Sequence, residues 1–386
     1  MKILHTSDWH LGRTLHGVDL LDAQARFHDW LVDLVAQRGV DVVVIPGDLY
    51  DRAVPPTDAV RLLGRTLARL AEVSTVVLTP GNHDSAVRLG FGADLMRAGI
   101  HILADTPGLD HPVSVEDEHG EVLFFGLPYL EPDLVRFQLA DDDAEPLARS
   151  HEAVTAAALD RVRARIAAHP GARSVVLAHT FVTGGSGSES ERDLRIGGVD
   201  SVPGAVMGGF DYVALGHLHG CQDLSGLVGS PAWYSGSPLA FSFSEKDQRK
   251  SVLLVELGES GSVDVERIEV PVERRLVELR GPLADVLERA DASADAYVRV
   301  IITDPARPPH LQDTLRAAFP HLLLTEYQPE GREGTAIAPV VARAADPMEV
   351  MEEFLAFVTG GRASDAERAV FEDAYAQVRA QHREAS

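Results

Sequence analysis

Five apolar runs in this chain each lead to a residue able to bind a metal or move a proton, and that repetition constrains the fold more than any other feature. Ile3-Leu4 runs into Asp8-Trp9-His10, and Val42-Val43-Val44-Ile45 into Asp48. Val76-Val77-Leu78 precedes Asn82-His83-Asp84, Val175-Val176-Leu177-Ala178 precedes His179, and Tyr212-Val213-Ala214-Leu215 precedes His217-Leu218-His219. Short β-branched runs of this kind are buried strands. On an extended strand, side chains two apart leave the same face, so Asp8 and His10 are offered together. One Asp-x-His is a weak signal; five such endings in order are not coincidence. Open sheets bind ligands outside the carboxyl ends of their strands, where these five ends can converge.

The intervening segments read as helices. Phe27, Trp30, Leu31, Leu34 and Val35 recur at helical spacing and predict a helix over 22–37, stopped by Gly39. Pro55-Pro56-Thr57 opens a second helix, with Ala59, Leu62, Leu63, Thr66, Leu67 and Leu70 on one face. This β-α-β-α-β rhythm predicts a sheet that is parallel here, with right-handed crossovers. Alternating segments at 113–115 and 122–125 are followed by a predicted helix over 150–168. The polar, glycine-rich stretch 183–203 lies between the His179 and His217 strands and reads equally as an exposed loop or a lid. Runs at 233–235, 251–257 and 263–268 predict antiparallel strands that finish a second sheet.

Composition shifts near Val270. Strands at 274–279, 297–302 and 321–325, with helices at 282–290 and 311–319, predict a small α+β unit. The Pro-Glu-Gly-Arg-Glu-Gly stretch marks a linker. Asp346-Pro347-Met348-Glu349 and Ser364-Asp365-Ala366-Glu367 fit the capping-box pattern for two closing helices. Two helices alone bury little, so docking onto a partner is the preferred reading over packing back on this chain. The expected division is 1–269, 270–330, a linker over 331–345, and a helix pair over 346–386.

With 386 residues, 45% of them apolar, the chain can bury an ample core. No apolar run approaches the ~20 residues of a membrane span. The first apolar residues run straight into Asp8 rather than a cleavage site, and Cys221 is the one cysteine. A reducing cytoplasm is therefore expected. The net charge of −24 has the wrong sign for a broad basic DNA-binding face. Were the substrate a nucleic acid, bound metals or a partner would have to supply much of the attraction. No Gly-Lys dipeptide occurs, so no Walker A loop can form, and any ATP dependence must come from elsewhere.

The candidate cluster is Asp8, His10, Asp48, Asn82, His83, Asp84, His179, His217 and His219. Without thiolates it does not resemble a structural zinc site. Mixed carboxylate, amide and imidazole donors suit Mn²⁺, Fe²⁺ or Zn²⁺ better than Mg²⁺. The donors exceed what one ion takes, so two ions are implied. A paired site holds them ~3.5–4 Å apart across an in-line displacement, which makes phosphoester hydrolysis the natural reaction class. Arg13, Arg52 and Arg88 stand beside ligand motifs, where an arginine serves equally as a DNA-phosphate contact or as an ordinary loop or turn residue. His5, His16, His28 and His101 read as structural, and Ser237, Phe243 and Glu245 as open to packing or loop roles.

Asp-x-His, Gly-Asp-Leu-Tyr-Asp, Gly-Asn-His-Asp, Ala-His-Thr and Gly-His-Leu-His, in this order, resemble the calcineurin-like metallophosphoesterases. The longer phrases at 5–12, 188–192, 197–200, 212–219 and 234–245 resemble that family's DNA-repair nuclease branch. The resemblance implies an α/β (α+β) fold: a β-sandwich flanked by helices, a small α+β cap over 270–330 and a C-terminal helix pair. It implies that Asp8, His10 and His219 bind one metal and Asn82, His179 and His217 the other, with Asp48 bridging and Mn²⁺ the expected ion. His83 would be the catalytic, non-ligand histidine that serves the leaving 3′ oxygen, with Asp84 orienting its ring. It further implies 3′–5′ exonuclease action on duplex ends and endonuclease action on single strands and hairpins. DNA and an SbcC-type coiled-coil ATPase, gripped by the C-terminal helices, would be the partners of a homodimer within a heterotetramer. A phosphomonoesterase or cyclic-nucleotide phosphodiesterase is the alternative, and a non-catalytic scaffold of the same fold is less favoured because every ligand position is filled.

Overall fold

The computed structural model describes residues 1–96, 99–140, 145–191 and 201–329, with Ser364, Arg368 and Val370. The chain divides into two compact units, Met1–Ile302 with Pro308–Tyr327, and Thr303–Arg307 with Gln328–Ser386. The expected linker and most of the C-terminal helix pair lie outside the described residues.

The first unit is built on two six-stranded sheets. One runs Val263–Glu269, Ser251–Leu257, Lys2–His5, Val42–Pro46, Thr75–Thr79, Ile100–Ile102, and its last four strands are parallel. The other runs Gln222–Asp223, Ala232–Tyr234, Tyr212–Gly216, Arg173–His179, Gly120–Leu127, Val113–Asp117. The predicted helices form at Leu21–Arg38, Thr57–Leu70 and His151–Ala167.

Alternation along the strands explains the layering. Val42 and Val44 point between the sheets, against Val175, Leu177, Tyr212 and Leu253, while Val43 and Ile45 face the helices with Phe27, Leu31, Leu63 and Leu67. On the far side, Val176, Val213 and Leu215 pack with Val154, Ala158 and Val162 of the His151–Ala167 helix. Both faces of each central strand are thus apolar, as a buried parallel strand requires.

Two expectations are corrected. Ser251–Leu257 and Val263–Glu269 do not finish the second sheet; Ser251–Leu257 pairs antiparallel with Lys2–His5 in the first. Ala232–Tyr234 does lie in the second sheet, but parallel to Tyr212–Gly216 and antiparallel only to Gln222–Asp223. Local apolarity marks a strand without naming its neighbour. The N-terminal strand had a free edge, and the antiparallel Ser251–Leu257 strand covers it.

The small α+β segment forms as expected, with three parallel strands at Leu276–Gly281, Tyr297–Ile302 and Leu322–Tyr327. Val286, Val298, Val300, Leu311, Leu315 and Phe319 give it its own core. Leu276, with Tyr297, Leu323 and Leu324, packs on Leu15, Leu20, Leu239, Phe241 and Phe243 of the sandwich.

Candidate metal centre

The strand ends converge at one end of the sandwich. Asp8 and His10 are not on the strand itself, as the strand-face reading supposed. Lys2–His5 ends three residues earlier, and both residues take left-handed backbone, with φ of 54° and 44°. Asp48 at 51° and His217 at 109° do the same. Such conformations are costly for non-glycine residues and persist only where the surroundings impose them. Here the impositions are visible. His10 N–H donates to the Asp48 carbonyl at 3.0 Å and His217 N–H to the Asp8 carboxylate at 3.0 Å. Gln24, buried on the first helix, donates to the carbonyls of Trp9 and His10 at 3.0 and 2.8 Å and accepts from Gly12 N–H. Each sharp turn aims its side chain into the crevice.

Close packing of the strand ends also demands glycine, between the sheets at Gly216 and between neighbouring strands of one sheet at Gly81. A Cβ on Gly216 would collide with the Pro46 carbonyl oxygen, and one on Gly81 with the Asp48 carboxylate and amide. Both glycines precede site residues, so the absence of a side chain lets the facing strand end at Gly216 and the neighbouring one at Gly81 come within bonding range.

The donors fall into two groups around Asp48. Asp8, His10 and His219 bring ligand atoms within 4.8 Å of one another, and His10 Nε2 lies 3.0 Å from His219 Nε2. On the other side, Asn82 Oδ1 lies 2.9 Å from His179 Nε2 and 3.3 Å from His217 Nδ1. Asp48 Oδ2 stands between, 3.6 Å from His10 Nε2 and 3.4 Å from His179 Nε2. All seven expected ligand residues therefore meet in one pocket.

Burial and the donors' own charges set the protonation of the site. Burial drives the His10 imidazole well below its usual range and His217 to about 3, which leaves both neutral with a lone pair to offer. Burial pushes the Asp8 carboxyl up to about 6, against the pull of His179 and His219. Burial also opposes ionisation of Asp48, but His179, His10 and His83 outweigh it and hold the carboxyl well below the usual range. His179 is raised to about 9, the Asp48 charge overcoming its burial. Buried oxygen and imidazole donors facing one another are a chemical fit for divalent ions.

His83 stands beside this set, its ring centroid 4.7 Å from that of His10 and its N–H on Asp48 Oδ1 at 2.9 Å. The expected orienting role of Asp84 is corrected. His83 Nδ1 donates to the main-chain carbonyl of Asp51 at 2.8 Å, whereas the Asp84 carboxylate accepts the backbone N–H groups of Gly81, Leu49 and Tyr50 at 2.9–3.1 Å. Asp84 joins the two ligand loops instead, and burial with the Asp48 charge raises it to about 7.

The arginines are placed differently from one another. The Arg13 guanidinium lies over the Phe241 ring, donates to the Ser190 carbonyl at 2.9 Å and sits 3.6 Å from Asp51. Arg52 is exposed, 3.7 Å from Asp51. Arg88 donates to the Ala53 carbonyl at 3.4 Å in the groove lined by Val54, Val60 and Phe91. Cys221 is half-buried, and burial raises its thiol.

Several polar residues around His219 escaped the sequence reading. Ser188 to Glu191, within the polar stretch, are seated at the site: Glu191 accepts the His219 N–H at 2.8 Å. Glu245 and Lys250 form a buried ion pair behind the same histidine. Burial would raise the Glu245 carboxyl, but His219 and Lys250 draw it down to about 2. The sequence signals were the phrases at 188–192 and 234–245, which carry no periodicity and gave these residues no role at the site.

The family model of calcineurin-like phosphoesterases matches residues 1–221. The chain belongs to that family, whose members are metal-dependent phosphoester hydrolases. A second family model, the SbcD_C domain described as the type 5 capsule protein repressor C-terminal domain, matches residues 272–359, which is consistent with an SbcD-type protein. Solved structures similar to the chain include TT1561 of Thermus thermophilus, at 17% identity and TM-score 0.39, covering 69% of this chain and 98% of that one. A dimetal phosphatase from Danio rerio is 13% identical, with TM-score 0.41 and coverage of 70% and 99%. GAP50, the anchor in the inner membrane complex of Plasmodium, is 10% identical, with TM-score 0.39 and coverage of 80% and 98%. Among the described residues no helix is long and apolar enough to cross a membrane.

Proposed function

We propose that the chain is the nuclease subunit of an SbcCD-type DNA-repair complex, hydrolysing DNA phosphodiester bonds with two divalent ions, Mn²⁺ by preference. The observation that carries this reading is the pairing of a phosphoesterase match over 1–221 with the SbcD_C match over 272–359. The substrates would be duplex ends, attacked 3′ to 5′, and single strands and hairpins, attacked internally. Asp8, His10 and His219 would hold one ion, Asn82, His179 and His217 the other, and Asp48 both. When bound, the ions would polarise the phosphoryl oxygens, lower the pKa of a water and stabilise charge on the attacking and leaving oxygens.

The residues of the chain do the rest. His83 Nδ1 is committed to the Asp51 carbonyl, so Nε2 is the ring nitrogen that exchanges a proton with the leaving 3′ oxygen. Asp84 braces the Gly81 and Leu49–Tyr50 backbones and thereby keeps His83 beside Asp48. Arg52, the exposed arginine at the rim, is a candidate phosphate contact. The small α+β segment would shape access as a cap, and the 346–386 helices would dock on an SbcC-type ATPase in the cytoplasm. A homodimer has a candidate face in Val87, Phe91 and Leu95, each more than four-fifths exposed, next to the half-exposed Val54 and Val60.

The test is cleavage of end-labelled duplex and single-stranded DNA by the purified chain with Mn²⁺, beside His83→Ala and a metal-free sample. Cleavage that requires metal and falls ~100–10,000-fold in the variant is expected. Absence of cleavage by wild-type protein carrying two ions, with an SbcC-type ATPase and ATP supplied, would sink the reading and make a small phosphoester the next substrate.

A further inference from the structure

Behind His219, on the side away from His10, runs a row of buried polar groups that the proposed chemistry leaves unused. Ser190 Oγ lies 2.7 Å from His219 Nδ1 and also hydrogen-bonds the Glu245 carboxylate. Glu245 is 1% exposed and Lys250 5%. The Lys250 ammonium donates to Glu245, to the His219 carbonyl and Ser237 Oγ at 3.0 Å each, and to Gln248 Oε1 at 2.8 Å. Glu191 closes the row from the backbone side. Its Oε1 accepts the His219 N–H, and its Oε2 accepts both the amide and the hydroxyl of Ser188 at 2.6 Å.

The direction of the bonds that link Glu245, Ser190 and His219 follows from one charge. An ionised carboxylate paired with an ammonium only accepts. The Ser190 hydroxyl proton therefore points to Glu245, and its oxygen is left to accept. His219 Nδ1, facing that oxygen at 2.7 Å and Glu245 Oε1 at 3.4 Å, must donate. The imidazole is then fixed as its Nδ1–H tautomer, with the Nε2 lone pair turned toward Asp8 and His10. A histidine that binds metal through Nε2 needs that tautomer, and the group on its other nitrogen sets it.

We propose that Ser190, itself oriented by the Glu245–Lys250 pair, is a positioning residue that holds His219 in its metal-binding tautomer. It thereby sets the strength of the Asp8–His10–His219 metal position. The inference rests on the two-metal reading above and deepens it by assigning an unequal dependence. His179, in the other group, directs Nδ1 to the main-chain carbonyl of Pro46 at 3.0 Å and needs no side chain for the same purpose. Loss of the serine hydroxyl should therefore weaken one ion and spare the other.

The experiment compares wild-type chain, Ser190→Ala and Ser190→Thr. Imidazole ¹⁵N spectra of the metal-free proteins report the His219 tautomer, and calorimetric Mn²⁺ titration reports each ion. Wild type should show a single Nδ1–H form and two ions. Ser190→Ala should show mixed tautomers and one Mn²⁺ site weakened ~10–100-fold, with the other unchanged and the thermal midpoint nearly so. Ser190→Thr, which keeps the hydroxyl, should restore both readouts. Two undiminished Mn²⁺ sites and an unaltered His219 tautomer in Ser190→Ala would overturn the positioning role alone. A wild-type chain that takes up no Mn²⁺ would overturn the metal-centre reading with it. Ser190→Ala is the decisive variant because it leaves the buried Glu245–Lys250 pair intact.

Discussion

The two halves of the metal centre are held in different ways. Around His179, the supporting atom is the Pro46 carbonyl, part of a central strand, and the neighbouring donors follow strand ends, His217 in the same sheet and Asn82 in the facing one. Around His219, support comes from side chains on two separate loops, Ser190 with Glu191 and Glu245 with Lys250. A carbonyl in a sheet cannot be removed by mutation and hardly moves while the sheet stands. A hydroxyl or carboxylate on a loop can be removed singly. The first half is thus as robust as the sandwich, and the second is open to adjustment by whatever reaches its loops.

The largest effect is expected where the halves meet. Asp48 lies within 3.6 Å of both His10 and His179 and also fixes the His83 amide. Asp48→Asn keeps the shape and removes the charge between two cations, so both ions should be lost together. Cleavage should fall by at least ~1,000-fold. Metal content by mass spectrometry checks it. Retention of one ion would show that the halves are less joined than the geometry indicates.

Next comes a substitution aimed at the carbonyl-supported half. Gly216→Ala drives a methyl into the Pro46 carbonyl, the same atom that orients His179. Pro46 ends a strand of the facing sheet, so relief requires the sheets to part or the Gly216–His217 turn to shift, at ~1–3 kcal/mol. A lower thermal midpoint and weakened Mn²⁺ on the His179 side are expected. This is the mirror of Ser190→Ala, which should change metal without changing stability. Equal weakening of both ions in Gly216→Ala would break the comparison.

The same contrast explains what could be read before the structure. The carbonyl-supported half was legible because its residues sit at the ends of apolar runs: Asn82 after Thr75–Thr79, His179 closing Arg173–His179, His217 after Tyr212–Gly216. The ligands of the other half were legible by motif, but their supports were not. Ser190, Glu245 and Lys250 come from separate segments and meet only in three dimensions, and a lysine buried by an ion pair looks in sequence like any surface lysine. The sheet assignment of Ser251–Leu257 failed for a related reason, since pairing partners are set by topology rather than by local apolarity. Asp84 was misread because adjacency to His83 implied a contact, whereas its carboxylate is taken up by the backbone N–H groups of Gly81, Leu49 and Tyr50.

The smallest effect calibrates the others, because a shift in stability can imitate a change at either half. His28 is fully buried and outside the ligand set, packed on Trp9 and bonded to Thr66 Oγ1 at 3.0 Å, and burial lowers its imidazole to about 3. An unfolded histidine protonates near its ordinary 6.5, so below that value the unfolded state binds a proton that the folded state refuses. Stability is therefore full above 6.5 and declines as pH falls from 6.5 toward 3, by up to ~1.4 kcal/mol per pH unit for this one group. Denaturant melts of metal-free protein at pH 7.0 and at about one unit below 6.5 should show a loss of stability of which His28→Leu removes ~1 kcal/mol, the share of this one group. If the slope persists unchanged in the variant, acid acts through another buried group. His5, also lowered to about 3 by burial and held between Tyr212 Oη and the Leu215 carbonyl, is then the next residue to replace. Once that background is subtracted, any acid sensitivity left in Mn²⁺ binding belongs to the centre itself, and its split between the two ions tests whether loop side chains and sheet carbonyls hold them differently.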